Sequence, residues 1–167
     1  MSCRSLLITL CLVTVALSPL AVHAEDTKST KMAIMRLYAS ESRAMQNRDI
    51  QGVLAVYANS YFQALPNGKN IKLIKVQLAL PKLFRSSSDL KDYFTVTGFA
   101  FYPDATIVTV RRKTVALLFG QANAKPKKFF VESVAKDRWS RSGDTWKLMS
   151  SKVLSIKQTV DGRVVPL

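Results

Sequence analysis

Apolar positions recur at helical spacing in the first half of the chain and in alternation in the second. Ile34, Leu37, Tyr38, Glu41, Ala44 and Met45 fall on one face of a helix. The polar stretch before them, residues 25–32, offers Thr27, Ser29 and Thr30 as caps. Asn47-Arg48-Asp49 interrupts, and Asp49 is a good N-cap for a short second helix marked by Ile50, Val53, Leu54 and Tyr57. Residues 61–64 read as a short strand closed by the turn signal Pro66-Asn67-Gly68. Residues 70–84 read as a third helix, which Pro81 must kink or end. From there residues 93–102, 106–110, 115–119, 127–141 and 145–157 are rich in Val, Phe, Thr and Ile and predict strands. Their separators are Pro103-Asp104, Arg111-Arg112-Lys113, residues 123–126 and Ser142-Gly143-Asp144, which predicts successive hairpins. Helices first and then a meander of strands means α+β, with helices packed on one face of a curved antiparallel sheet.

Alternation sorts the faces of the last two strands. Phe129, Val131, Ser133, Ala135, Asp137 and Trp139 share one side, which is apolar or small and so should face the helices. Trp146, Leu148 and Ser150 are expected on that side of the final strand. Two acids thereby fall on core-facing positions, Glu41 and Asp137. Desolvation pushes a buried carboxyl towards neutrality, which is how a pocket acid or base is tuned. The plainer alternative is that each pairs with an Arg or Lys, and the chain has many: 25 Lys+Arg against 11 Asp+Glu, a formal charge of +14.

The N-terminus changes the chemistry that is available. A basic start, an apolar run over residues 6–17, the break at Ser18-Pro19 and then Val22-His23-Ala24 predict a signal peptide over residues 1–24, cleaved before Glu25. The run is too short to span a bilayer. The expectation is an exported protein, periplasmic or secreted, with one domain over residues 25–167. Both cysteines, Cys3 and Cys11, and the single histidine, His23, lie in the leader. Without them, Ser-His-Asp and Cys-His nucleophiles and His- or Cys-based zinc and copper sites are excluded. No calcium-loop pattern, Gly-x-Gly-x-x-Gly or phosphate loop occurs. No metal and no cofactor is expected; carboxylates, Tyr and Lys remain for acid–base work.

The stretch from Asp49-Ile50-Gln51-Gly52 to Ala58, then Asn67-Gly68-Lys69, then Asp137-Arg138-Trp139-Ser140-Arg141-Ser142-Gly143-Asp144-Thr145-Trp146-Lys147-Leu148 and Val160-Asp161-Gly162 resembles the nuclear transport factor 2-like (SnoaL-like) superfamily, within the cystatin-like folds. The resemblance covers nearly all of the chain beyond the leader. It implies a cone, a strongly bent sheet wrapped round N-terminal helices with a pocket at the wide end, and often a homodimer, for which Phe130 and Val134 on the second sheet face are apolar candidates. It does not imply one activity, because the superfamily holds isomerases, cyclases, dehydratases, association domains and exported proteins without known activity. Ketosteroid isomerases of this superfamily use a first-helix tyrosine, an aspartate base beyond helix two and a protonated acid on a late strand. The first two positions hold Glu41 and Leu65 here; Asp137 alone has a counterpart, so that isomerase chemistry does not carry over.

The residues expected to line the pocket are Tyr38, Glu41, Tyr57, Ser133, Asp137 and Ser150, with Asp137, Glu41 and Tyr38 as the catalytic candidates if there is catalysis. The leading expectation is a non-catalytic binder of a small apolar or amphipathic ligand, or of a partner protein. A lyase, isomerase or cyclase would need the Asp137 and Glu41 carboxyls to converge. A third possibility rests on basic clusters at Lys69-Lys72-Lys75, Arg111-Arg112-Lys113 and Lys125-Lys127-Lys128, which would favour an anionic envelope surface. Specific nucleic-acid binding is not expected, since no recognised module is present.

Overall fold

The computed structural model describes residues 20–120 and 125–166. Residues 1–19 of the expected leader, with both cysteines, lie outside the described residues. Helix α1 (Leu20–Gln46) carries Ile34, Tyr38, Glu41 and Ala44 as a buried stripe. No Gly or Pro interrupts it, so Thr27, Ser29 and Thr30 sit inside the helix rather than capping it. It closes at Arg48, whose φ is 59°. Asp49 then caps α2 (Ile50–Leu54), its side chain accepting from the Gly52 amide at 2.9 Å. A Cβ on Gly52 would fall 2.9 Å from the Ala44 Cβ and against the Asp49 carboxyl, so only glycine lets α2 fold back on α1 this closely.

The sheet has the order β2-β1-β6-β5-β4-β3, with β7 added to β6. The strands are β1 (Tyr57–Ala64), β2 (Asn70–Lys72), β3 (Ser87–Phe101), β4 (Thr106–Leu118), β5 (Lys127–Ser142), β6 (Thr145–Val160) and β7 (Arg163–Val164). Consecutive strands β3 to β6 pair antiparallel as the meander predicts, but β1 lies parallel to β6, so the sheet is mixed. Tyr57 opens β1 rather than ending α2. The β5–β6 hairpin turns on two residues with Gly143 at φ 61°, and β6–β7 turns on Asp161-Gly162, both at positive φ.

Helix α3 (Leu73–Ser86) runs on past Pro81 rather than ending there, and Leu80 and Phe84 on either side of it are both buried in one core cluster with Ala44 and Val53. Two further expectations about elements are corrected. A three-residue strand, β2, precedes α3 where helix was expected. Arg111-Arg112-Lys113 is the middle of a continuous β4, not a hairpin end. The even-numbered residues of β4 face inward with Val108 and Val110, and Arg112 continues that series because an acid waits opposite it. The larger core cluster joins Ile34 and Tyr38 of α1 to Val108, Val110, Ala135, Trp139, Leu148 and Val153 of the sheet. Burying a side chain of this size contributes about 1.5–3 kcal/mol, so the helix is held against the sheet by its stripe.

Candidate functional site

Two hydrogen-bonded networks leave the buried stripe of α1 one helical turn apart. The first centres on Tyr38. Its hydroxyl donates to Asp137 Oδ2 at 2.8 Å and accepts from Trp139 Nε1 at 3.0 Å. Its ring stacks on Phe94 and meets Trp139 edge-on. Asp137 is 3% exposed, and its Oδ1 has no protein hydrogen-bond partner. Burial raises its pKa above the ordinary carboxylate value; the Ser151 hydroxyl, Arg112 and the Tyr38 hydrogen bond oppose this without cancelling it. Tyr38 is itself pushed upward, by burial first and then by the Asp137 charge.

The second network centres on Glu41, 1% exposed. Arg112 donates to both of its oxygens, at 2.8 and 2.7 Å, and Tyr57 donates to Oε1 at 2.6 Å. Burial alone would raise the Glu41 pKa, but the Arg112 charge and these hydrogen bonds hold it below the ordinary value. Asp92, also buried, accepts from Ser42 and Thr114 and lies 3.9 Å from Arg112. Glu41 is therefore charged and matched, whereas Asp137 is buried without a cation bonded to it.

A cavity of about 150 Å³ lies between these networks. Tyr57, Tyr61 and Gln63 enter it from β1, Arg112 from β4, Ser133 and Asp137 from β5, and Ser151 from β6; Val76, Val110, Ala135 and Leu148 supply the apolar wall. Arg112 pairs with Ser133 and Val108 with Asp137, so Arg112 and Asp137 stand four residues apart along the ladder, roughly 13 Å between backbones. They mark opposite ends of the cavity. Larger grooves open elsewhere on the surface, but they hold none of the buried acids.

Of the six residues expected in the pocket, Tyr57, Ser133 and Asp137 line this cavity. Tyr38 and Glu41 stand behind it, each bonded to a side chain that does. Ser150 is replaced by Ser151. In β6 Leu148 lies opposite Trp139 and Ser150 opposite Arg138, leaving Met149 as an extra residue. This β-bulge shifts the alternation by one, so the inward series runs Trp146, Leu148, Ser151, Val153. Arg112 went unassigned because a basic trio resembles a turn, and Asp92 because its strand was expected to begin only at residue 93, whereas β3 starts at Ser87. The signal for Arg112 was the period-two series Val108, Val110, Arg112, carried on through the trio.

Solved structures share this architecture at low sequence identity. A type 2 hexachlorocyclohexane dehydrochlorinase (LinA) superposes with a TM-score of 0.64 at 14% identity, over 86% of this chain and 97% of its own. A conserved protein of Planctomyces limnophilus gives 0.65 at 11% identity, covering 84% and 99%. A Kribbella flavida protein gives 0.66 at 16% identity, covering 84% and 95%. The fold is that of the nuclear transport factor 2-like proteins. The curved mixed sheet and the helix laid across it match the cone that the sequence motifs imply for that fold. No protein-family model matches the chain, and no curated protein matches it. At these identities the likeness speaks for the nuclear transport factor 2-like fold alone; one neighbour's printed activity belongs to that neighbour.

Proposed function

We propose that this chain is an exported binding protein that takes one small amphipathic molecule into the cavity between Val76 of α3 and the sheet. The observation that carries this reading is the free Oδ1 of Asp137, a buried polar atom without a protein partner on a residue that lines an internal space. A buried, unsatisfied carboxyl oxygen costs about 1–3 kcal/mol, which a ligand hydrogen bond recovers. A space near 150 Å³ suits a single-ring molecule. Oδ2 already accepts from Tyr38, so a protonated Asp137 can offer its proton from Oδ1 to a ligand carbonyl. An ionised Asp137 accepts from a ligand hydroxyl instead. The apolar wall then takes the ring.

Glu41 does not provide the second carboxyl of an acid–base pair, because Arg112 and Tyr57 occupy both its oxygens. That favours binding over two-carboxylate catalysis. The reading also retains the leader over residues 1–24 and a homodimer through the outer sheet face near Phe130 and Val134 as parts of the proposal. Calorimetry with cyclohexanone and phenol as probes tests it. Cyclohexanone should bind more tightly at acid pH and phenol more tightly as pH rises through the folded Asp137 value while the phenol hydroxyl is still protonated, and Asp137→Leu should weaken both by about tenfold or more. Equal binding by D137L and parent, or no binding of either probe and no ligand retained in native mass spectrometry, would reject it.

A further inference from the structure

We propose that α3 and the neighbouring β1–β2 edge form a face that lays this protein on an anionic lipid bilayer. No Asp or Glu occurs between Asp49 and Asp89, while Lys69, Lys72, Lys75, Lys82 and Arg85 all do. Among the described residues none of these five belongs to an ion pair, in contrast to Arg112 and Arg138. On the same helix Ile74 and Leu78, one turn apart, are 54% and 56% exposed, and Phe62 of β1 is 45% exposed. Phe62, Lys72 and Ile74 line a groove of about 450 Å³ on one side of α3. On the other side Leu65, Ile71, Ala79 and Leu83 line one of about 670 Å³, with Lys69 and Lys75 beside them.

Solubility explains exposed lysines, but it does not explain exposed Ile and Leu set among them. Apolar side chains directed outward between unneutralised cations are the pattern by which a helix lies in the headgroup region with its apolar residues in the acyl boundary. The opposite face of α3 is pinned by buried Leu80 and Phe84, so the outward face is presented on a fixed support. No described helix is long and apolar enough to cross a membrane, so the contact is one of lying on the surface. Charge complementarity selects anionic over neutral lipid. This face does not include Asp137, and its test is separate from that of the cavity.

The test is co-sedimentation of the full chain with phosphatidylglycerol-containing vesicles and with pure phosphatidylcholine vesicles. Binding to the first and not the second is expected, falling steeply as salt is raised. Ile74→Ser with Leu78→Ser leaves the charge unchanged and should weaken partitioning by about tenfold or more. Lys72→Ala with Lys75→Ala should weaken it by about tenfold or more. Lys28→Ala with Lys31→Ala, on the part of α1 that lies over Phe99 and Phe101 at the end of β3 remote from α3, and Asp137→Leu should not change it. Circular dichroism and the unfolding midpoint confirm that each variant folds; if the Ile74/Leu78 variant does not, Leu78→Ser alone is compared. Retention that ignores Ile74 and Leu78, equal retention on neutral vesicles, or none at all overturns the proposal. So does a dimer in sedimentation that I74S/L78S disrupts while vesicle binding is absent.

Discussion

Glu41 and Asp137 are both acids in the core, and both are reached from the same stripe of α1, yet they end in opposite electrostatic states. Glu41 meets a guanidinium that bonds both its oxygens, and its pKa falls. Asp137 meets a tyrosine hydroxyl and keeps one oxygen free, and its pKa rises. Depth is nearly the same in the two places. What differs is the partner each meets across the helix–sheet interface, Arg112 for Glu41 and Tyr38 for Asp137, and that decides which acid has both oxygens bonded and which keeps one free.

Removing Arg112 should break this contrast with the largest effect. Arg112→Met strands the Glu41 charge and is expected to cost about 3–5 kcal/mol in urea unfolding at neutral pH. Glu41→Leu combined with R112M should recover most of that loss, because neither charge then remains uncompensated. Gly52→Ala, which presses on Ala44 and Asp49, should cost about 1–3 kcal/mol. Tyr38→Phe leaves Asp137 Oδ2 and the Trp139 indole without their partner and should cost about 1–3 kcal/mol, with Asp137 shifted further from its ordinary pKa.

Acidity sharpens the comparison because the two acids have opposite signs. The Glu41 pKa is lowered in the fold, so its contribution is present above the ordinary carboxylate range and is lost as pH falls through its folded value. The Asp137 pKa is raised, so the stability tied to its protonated form is present below that range and is lost as pH rises through its folded value. Urea midpoints followed from acid to neutral pH should therefore show D137N gaining on the parent as pH rises. E41Q should lose on it over the same change. Smaller again, Ser151→Ala should weaken cyclohexanone binding by about fivefold while Ser150→Ala leaves it unchanged. The smallest effect is expected from Asp104→Ala, which removes an exposed pair with Arg138 worth about 0–1 kcal/mol.

Much of the fold was legible in the chain because its signals are periodic. The α1 stripe, the Asp49 cap, the inward series Ala135, Asp137, Trp139 and the Gly143 turn all follow from spacing alone. Two kinds of feature were not legible. Arg112 looked like a turn residue, since local propensity does not report that Glu41, 71 positions away, will neutralise it. Ser151 was hidden by the Met149 bulge, which strict alternation cannot anticipate, because the extra residue is defined by pairing with β5. Site residues set by local pattern could be found in advance, and those set by partners distant in sequence, on the helix for Arg112 and on β5 for Ser151, could not.

The supernumerary Met149 also makes β6 unequal in its tolerance of length changes. Excising Met149 would flatten the bend yet leave Ser151 and Val153 pointing where they do. Excising a regularly paired residue between Ser151 and Val153 would rotate the far end of the strand and turn its hydrophobic side outward. Among related chains, single-residue gaps in this strand would be expected to gather at Met149 and at Leu154, which the register leaves over in the same way between Val153 and Ser155.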